Sequence, residues 1–136
     1  MINVLLDTNI FISAILNNRG VPYQAYKKAV EPPYQGLICE YILEELRRVF
    51  NRKFPNKIPM YERFIAIALP AIEIIPVPLS QYSEEDLIRD IGDRPILRAA
   101  IKAEIDILVS GDNDFLESDV TTPRIMTAAQ FLQWSP

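Results

Sequence analysis

Two short apolar segments, far apart along the chain, each end at acidic residues. The first covers residues 2–6 and is followed by Asp7, and the second covers residues 107–109 and is followed shortly by Asp112 and Asp114. Short apolar runs bounded by turn-forming residues predict buried strands. The carboxyl ends of parallel strands meet at one edge of an open α/β sheet. We therefore expect the three carboxylates to lie close together if the two strands are neighbours.

Three neighbouring carboxylates repel one another, and this repulsion has to be reduced. Water can separate them, protons can neutralise them, or a cation can bind between them, and a metal ion is the simplest of these solutions. The chain has no histidine and one cysteine, Cys39. This excludes zinc sites built from imidazole or thiolate ligands, and it excludes a catalytic histidine. The remaining all-oxygen ligand set favours Mg²⁺ or Mn²⁺.

Predicted strands and helices alternate along the 136 residues. This alternation predicts a single α/β domain over residues 1–136, with a parallel sheet and right-handed crossovers. The predicted strands cover residues 2–6, 37–39, 73–77 and 106–110. The predicted helices begin near residues 9, 22, 40, 59 and 93, and Thr127 with Gln130 has the spacing of a capping box for a last helix.

The chain shows no signal for secretion or membrane insertion. No apolar run approaches the roughly 20 residues needed to cross a bilayer, and the N-terminus lacks the basic and apolar regions of a secretory signal. The single Cys39 fits a reducing compartment. We therefore expect a cytoplasmic protein that does not associate with membranes. The net charge of −4 argues against passive coating of nucleic acid, but it allows an enzyme with a local basic patch.

Further acids lie at the start and on the face of predicted helices. Asp93 precedes a helix with Pro95 in its first turn, where a capping role and a metal-binding role can coexist. Asp90, one turn earlier, is a weaker candidate. Glu44 and Glu45 lie on the long central helix, and Glu45 borders its apolar stripe, although a solvated glutamate is the more common case.

The acids at the strand ends also have simpler interpretations. Asp7 could cap the next helix, and Asp112 and Asp114 could bond the backbone of their own loop. A calcium loop is disfavoured because its glycine and terminal glutamate are absent at the required offsets. A haloacid-dehalogenase-type phosphatase is disfavoured because Asn9 stands where a second Asp is needed. Together, the residues form an acidic site of two to five members, which suits two-metal phosphodiester hydrolysis.

Four acidic motifs, in this order, resemble those of the PIN-domain ribonucleases, in particular the VapC-like toxins of toxin–antitoxin pairs. They are Leu6–Asn9, Leu43–Phe50, Asp93–Ala100 and Val109–Phe115, and residues 124–132 resemble the closing strand and helix of the family. The resemblance implies a PIN-like three-layer α/β/α fold around a central, mostly parallel sheet. It also implies an endoribonuclease that depends on Mg²⁺ or Mn²⁺ and cleaves RNA phosphodiester bonds.

The resemblance also implies roles for individual residues. The implied catalytic acids are Asp7, Glu45, Asp93 and Asp112, the implied metal ligands are Asp7, Asp93, Asp112 and Asp114, and the implied supporting residues are Asn9 and Ser110. Glu45 matches the helical motif better than Glu44, because the acid of that motif precedes a leucine. The two alternatives stay open, since a shift of one residue rotates a helical side chain by about 100°.

The expected partners are RNA, a cognate antitoxin and a second copy of the chain. The antitoxin and the homodimer are implied by the resemblance. For RNA, a basic run follows Glu45 and could offset the repulsion between the acids and the phosphate backbone; it could equally be a solvated helix end. The run comprises Arg47, Arg48, Arg52, Lys53 and Lys57, and the first four are the candidates for RNA binding. An inactive PIN-like module that only binds RNA or a protein is the alternative to an enzyme.

Overall fold

Five parallel strands form the central sheet. The computed structural model describes residues 1–136. The strands are β1 (Ile2–Leu6), β2 (Tyr34–Cys39), β3 (Glu73–Ile75), β4 (Ile107–Val109) and β5 (Arg124–Met126). Their order across the sheet is β3-β2-β1-β4-β5, and every neighbouring pair is parallel. The prediction of an α/β fold with a mostly parallel sheet is confirmed.

Seven helices flank this sheet, as a PIN-like three-layer α/β/α fold requires. They are α1 (Thr8–Leu16), α2 (Val21–Ala29), α3 (Glu40–Lys53), α4 (Ile58–Ala68), α5 (Arg94–Lys102), α6 (Asn113–Leu116) and α7 (Ala128–Gln133). Short 3-10 turns cover Pro55–Lys57, Ser83–Leu87 and Ile91–Asp93. No helix combines the length and the apolar character needed to span a membrane.

The sheet changes its direction of growth between β1 and β4. The chain first adds β2 and β3 on one side of β1, and it then returns to add β4 and β5 on the other side. β1 and β4 are direct neighbours, with Leu6 opposite Val109. At such a switch point the loops that follow two adjacent strands leave a crevice at the carboxyl edge of the sheet. Asp7 and Ser110, the residues that follow these two strands, therefore stand side by side at this edge.

The strands beside the switch point are deeply buried. Thirty buried residues form one hydrophobic cluster around the sheet. Leu5 and Leu6 of β1, and Leu108 and Val109 of β4, have no accessible surface. Close packing on this scale holds the strand ends in place, so the residues that follow β1 and β4 extend from a rigid base.

Two element boundaries differ from the predictions. β2 begins at Tyr34, not at residue 37, because residues 34–37 pair with β1 although this stretch contains the weak strand formers Gln and Gly. A single helical turn, α6, follows Asp112, where a polar turn was predicted. By contrast, the predicted capping box of the last helix is confirmed by hydrogen bonds in both directions between Thr127 and Gln130.

A buried ion pair fastens the long connection between β3 and α5. Nη2 of Arg98 lies 2.9 Å from Oε1 of Glu85, and the two side chains are 14% and 4% exposed. Nη1 of Arg98 also donates to the carbonyl of Pro78 at 3.2 Å. Burial alone would raise the pKa of Glu85, but hydrogen bonds from Arg98 and from the main chain of Tyr82 outweigh it and lower that pKa. The connection that carries Asp90 is thus anchored to α5.

Candidate functional site

Asp7 follows β1 directly and is almost fully buried. It is 3% exposed. Its Oδ1 accepts a hydrogen bond from the main-chain N of Thr8 at 2.7 Å, and its Oδ2 accepts one from Oγ of Ser110 at 2.7 Å. Asp7 thus begins α1 as an N-cap and is at the same time tied to the end of β4. The side chain of Asp7 therefore caps a helix and lies at the candidate site at the same time.

A chain of hydrogen bonds orders the loop after β4. Oγ of Ser110 accepts from the main-chain N of Asp112 at 3.0 Å, and Oδ1 of Asp112 accepts from the main-chain N of Asp114 at 2.9 Å. Asp112 therefore caps α6 while Ser110 connects this loop to Asp7. The predicted backbone bonding of the loop acids is present, and it brings the acids towards β1.

The segment before α5 contributes two more acids. Oδ1 of Asp90 accepts from the main-chain N of Gly92 at 2.9 Å. Carboxylate oxygens of Asp90, Asp93 and Asp114 lie within 4.8 Å of one another. No hydrogen-bond donor of the protein reaches the buried Oδ2 of Asp93. A buried oxygen without a donor is costly, and a hard cation takes such an oxygen as a ligand. The donor set therefore fits Mg²⁺ or Mn²⁺.

We call these five residues the acid cluster: Asp7, Asp90, Asp93, Asp112 and Asp114. Of the four acids that the resemblance implies as metal ligands, Asp93 and Asp114 have oxygens within 4.8 Å of each other, and the charges of Asp7 and Asp112 are near enough to raise the pKa of Asp93. Their role as ligands stays a prediction. Asp90, the weaker candidate in the sequence, is a member of this group, because its carboxylate lies within 4.8 Å of those of Asp93 and Asp114.

The charged form of Asp7 is disfavoured where it lies. Burial raises the pKa of Asp7 to about 6, against the hydrogen bonds from Ser110 and Thr8, which lower it. The negative charges of Asp112 and Glu45 add to the increase. The charge of Asp7 therefore lacks a compensating positive charge among the surrounding side chains.

The pKa of Asp93 is raised further than that of Asp7. Burial raises the pKa of Asp93 to about 8, together with the adjacent Asp112 carboxylate and the charges of Asp7 and Asp90. A bound cation would favour the charged form of every carboxylate around it and would therefore offset the increase in these pKa values.

The raised pKa values predict that the protein in EDTA loses stability as the pH rises from 5 to 8. An acid whose pKa is higher in the folded than in the unfolded state binds more protons when folded, so its contribution to stability decreases as the pH rises between the two values. For Asp7, with a pKa of 3.8 when unfolded and about 6 when folded, the part of this decrease that falls between pH 5 and pH 8 is about 1.4 kcal/mol. Thermal melting at pH 5.0 and 8.0 checks this, and a melting temperature that rises with pH would contradict it.

Glu45 and Glu44 differ in how far they are exposed to solvent. Glu45 is half-buried on α3, and its charge raises the pKa of Asp7. Glu44 points to solvent, where its side chain is 70% exposed and lies 3.8 Å from Arg47. The geometry therefore favours Glu45 as the acid of α3 that faces the cluster. Asn9 is exposed at the start of α1, away from the hydrogen bonds that order Asp7.

Tyr41 is a residue near the cluster that the sequence did not identify. Its hydroxyl donates to the carbonyl of Gly92 at 2.8 Å, which ties the start of α3 to the turn between Asp90 and Asp93. Burial raises the pKa of Tyr41, and the charges of Glu45 and Asp93 add to the increase. Only a periodic pattern marks Tyr41 in the sequence: it lies four residues before Glu45, on the same face of α3.

The predicted basic run lies along α3 at increasing distance from the cluster. α3 starts directly after β2, at the carboxyl edge of the sheet. A helix rises 1.5 Å per residue, which places Arg52 about 18 Å along the helix from Glu40. Arg47 and Arg48 lie one turn after Glu45, whereas Arg52 and Lys53 lie towards the opposite edge. RNA binding by this run stays a prediction, and Arg47 and Arg48 are its better-placed members.

Residues 3–114 match the family model described as a PIN domain. The chain belongs to the PIN domain family. An uncharacterized protein of Methanocaldococcus jannaschii is 26% identical over 116 residues, which cover 85% of this chain and 74% of that protein.

Solved structures with the same fold come from bacterial toxin–antitoxin proteins. The PIN domain resembles VapBC2 from Rickettsia felis bound to a promoter DNA fragment, with a TM-score of 0.68, 18% identity and coverage of 93% of this chain and 98% of that chain. A DNA-bound VapBC from Salmonella typhimurium has a TM-score of 0.68 at 18% identity, with coverage of 94% and 99%. VapC20 from Mycobacterium tuberculosis, a toxin that cleaves the Sarcin-Ricin loop, has a TM-score of 0.58 at 16% identity, with coverage of 84% and 93%. These likenesses establish a VapC-like fold.

Proposed function

We propose that this PIN domain is an endoribonuclease that depends on Mg²⁺ or Mn²⁺. The observation that carries the proposal is the group of carboxylates at the switch point of the sheet: oxygens of Asp90, Asp93 and Asp114 lie within 4.8 Å of one another, and one buried oxygen of Asp93 has no donor. Asp7 and Asp112 lie beside this group, where their charges raise the pKa of Asp93. Hard cations prefer such an all-oxygen site. The one thiol of the chain, Cys39, is buried and offers no competing soft ligand at the surface.

The proposed roles follow from the positions of the side chains. The four acids would hold the metal, which when bound supplies activated water and neutralises charge on the scissile phosphate. Ser110 keeps the Asp7 carboxylate oriented through its hydrogen bond. Glu45, facing Asp7 from α3, would accept a proton from the attacking water. Asn9, two residues after Asp7, is exposed, and its supporting role stays an implication of the family resemblance.

Exchanging each of the two neighbouring glutamates tests the role of Glu45. We expect Glu45→Gln to lower the cleavage rate by about 100-fold or more, the usual contribution of a positioned general base. The matched variant Glu44→Gln alters an exposed side chain on the same helix and should stay within about twofold of wild type. Single-turnover cleavage of an RNA pool in Mn²⁺ measures both. If the two substitutions lower the cleavage rate equally, Glu45 is not part of the proposed site.

We further propose that the protein is the toxin of a cytoplasmic toxin–antitoxin pair and that it forms a homodimer. The fold likeness to VapBC2 and VapBC supports an antitoxin partner. An apolar groove of about 450 Å³ between the α1–α2 connection and α4 supports a protein-binding surface. Its members include Ile15, Tyr23, Met60, Phe64 and Ile67, and Ile67 is 69% exposed. Exposed apolar side chains around one groove are typical of a protein interface.

Incubation of total RNA with the purified protein in Mn²⁺, with and without EDTA, tests the proposed activity. Metal-dependent shortening of RNA supports the nuclease. An inactive PIN-like module would instead bind RNA or a protein and leave the RNA at full length. Intact RNA with Mn²⁺ bound to the protein would therefore favour the alternative.

A further inference from the structure

Arg89 lies at the acid cluster, directly before Asp90 in the chain. Its Nε is 3.0 Å from Oδ1 of Asp114, and its Nη2 donates to Oε2 of Glu117 at 3.0 Å. The side chain is 65% exposed. The two acidic partners bind one side of the guanidinium group and leave Nη1 directed away from these bonds. Arg89 is thus a positively charged group held at the rim of a negatively charged site.

Of the other basic side chains near the cluster, three are engaged elsewhere, and Arg48 is exposed on α3 without a salt bridge to an acid of the cluster. Arg98 is buried in its ion pair with Glu85, and Nε of Arg94 donates to the carbonyl of Ile88 at 3.0 Å. Arg47 pairs with Glu44 on α3. Among the salt bridges of the structure, that of Arg89 with Asp114 is the one that reaches an acid of the cluster.

We propose that Arg89 binds a phosphate group of the RNA substrate beside the acid cluster. The inference rests on the proposed ribonuclease function and identifies how the substrate backbone is held there. An RNA phosphate that approaches five carboxylates is repelled unless a cation lies next to it. A guanidinium group offers five donors in a planar fork that matches phosphate oxygens. Asp114 and Glu117 hold this fork in place, so little side-chain freedom is lost when the phosphate binds.

The same ion pair links Arg89 to metal binding. Asp114 is both the partner of Arg89 and a member of the acid cluster. A divalent cation bound at the cluster and the guanidinium group therefore compete for one carboxylate. Removing Arg89 should make the cluster more attractive to a cation and less attractive to RNA. If Arg89 only supported the loop, its removal would weaken both metal binding and RNA binding.

The experiment measures metal and RNA binding separately for the wild type, Arg89→Ala, Arg89→Lys and a matched control. The control is Arg19→Ala, an exposed arginine beyond the far end of α1. Mn²⁺ binding is followed by electron paramagnetic resonance without RNA. RNA binding is followed by fluorescence anisotropy with a labelled single-stranded 20-nucleotide RNA of mixed sequence in Ca²⁺, over a range of salt concentrations, with a gel to show that the probe stays intact.

For Arg89→Ala we expect RNA affinity to fall about tenfold and the slope of log K against log salt to flatten by about 0.7, the value for one phosphate contact on a single strand. Mn²⁺ affinity should rise by about two- to fivefold, the size of an exposed ion pair. Arg89→Lys should keep the Mn²⁺ affinity of the wild type and lose part of the RNA affinity, because it keeps the charge and loses the fork. Arg19→Ala should match the wild type in both.

Two outcomes overturn the inference. One is an Arg89→Ala variant with the RNA affinity and salt slope of the wild type, and the other is a variant that loses Mn²⁺ and RNA affinity together. Failure of the proposed function looks different, because the wild type itself would then show no Mn²⁺-dependent cleavage of total RNA. The binding results for Arg89 are thus read independently of the cleavage result.

Discussion

Asp7→Asn should lower the rate of RNA cleavage by at least about 1000-fold, corresponding to about 4 kcal/mol of transition-state stabilisation. Asn keeps the size of the side chain and an acceptor for the main-chain N of Thr8, but it removes the negative charge that a metal ion needs. Single-turnover cleavage in Mn²⁺ gives the ratio of rates to the wild type.

The same substitution should not destabilise the protein, which distinguishes a site acid from a structural one. Because burial raises the pKa of Asp7 to about 6, the carboxylate opposes folding at pH 8, and a neutral amide removes this cost. We expect the unfolding free energy of Asp7→Asn in EDTA at pH 8 to equal or exceed that of the wild type, and the gap should close towards pH 5. A variant that is both inactive and strongly destabilised would make Asp7 a folding residue instead.

Asp106 provides the matched control for Asp7→Asn. It lies just before β4, at the opposite edge of the sheet, where its Oδ2 accepts from the main-chain N of Asn3 at 2.8 Å. Asp106→Asn keeps an acceptor for that bond and changes the net charge of the protein by the same amount. Cleavage at the wild-type rate is expected. A loss of activity equal to that of Asp7→Asn would mean that net charge, not the cluster, controls activity.

Arg98→Ala should lower the unfolding free energy by about 3–5 kcal/mol, because it leaves the buried carboxylate of Glu85 without its partner. Arg98 donates to Glu85 through Nε and Nη2, and the pair anchors the connection that carries Asp90 and leads to Asp93. Urea unfolding at pH 7 measures the loss. The double variant Glu85→Met with Arg98→Met should recover much of it, since apolar side chains replace both charges.

Arg47→Ala is the control for the Arg98 prediction. Arg47 also lies near a glutamate, Glu44, but at 3.8 Å and with both side chains more than half exposed. Exposed pairs of this kind contribute about 1 kcal/mol or less. A loss for Arg98→Ala no larger than that of Arg47→Ala would show that the Arg98–Glu85 pair does not anchor the connection.

The parts of the fold that depend on local chemistry could be predicted from the sequence. β1 and β4 are short apolar runs that end at polar residues, and α5 begins directly after Asp93 with Pro95 in its first turn, so their positions follow from pattern and turn chemistry. The acids at the ends of such strands converge because all parallel strands share one carboxyl edge. The sequence alone therefore predicts that Asp7 and Asp112 share one site.

The parts that depend on tertiary packing could not be predicted. Glu44 and Glu45 differ by one residue, and only the packing of α3 against the sheet decides which of them faces Asp7. Arg89 and Asp90 lie in an irregular connection with no periodicity, so their approach to Asp114 has no local signal. The first residues of β2 are weak strand formers that become a strand because β1 supplies the hydrogen-bond partners.

A crystal of the protein grown in Mn²⁺, with diffraction data collected at the manganese absorption edge, tests the central claim most directly. The proposed metal site predicts an anomalous peak in contact with the carboxylate of Asp93 and with at least one of Asp7, Asp112 and Asp114, at about 2.0–2.3 Å from their oxygens. At saturating Mn²⁺, a map without a peak at the acid cluster, or with its peaks elsewhere on the surface, would contradict it.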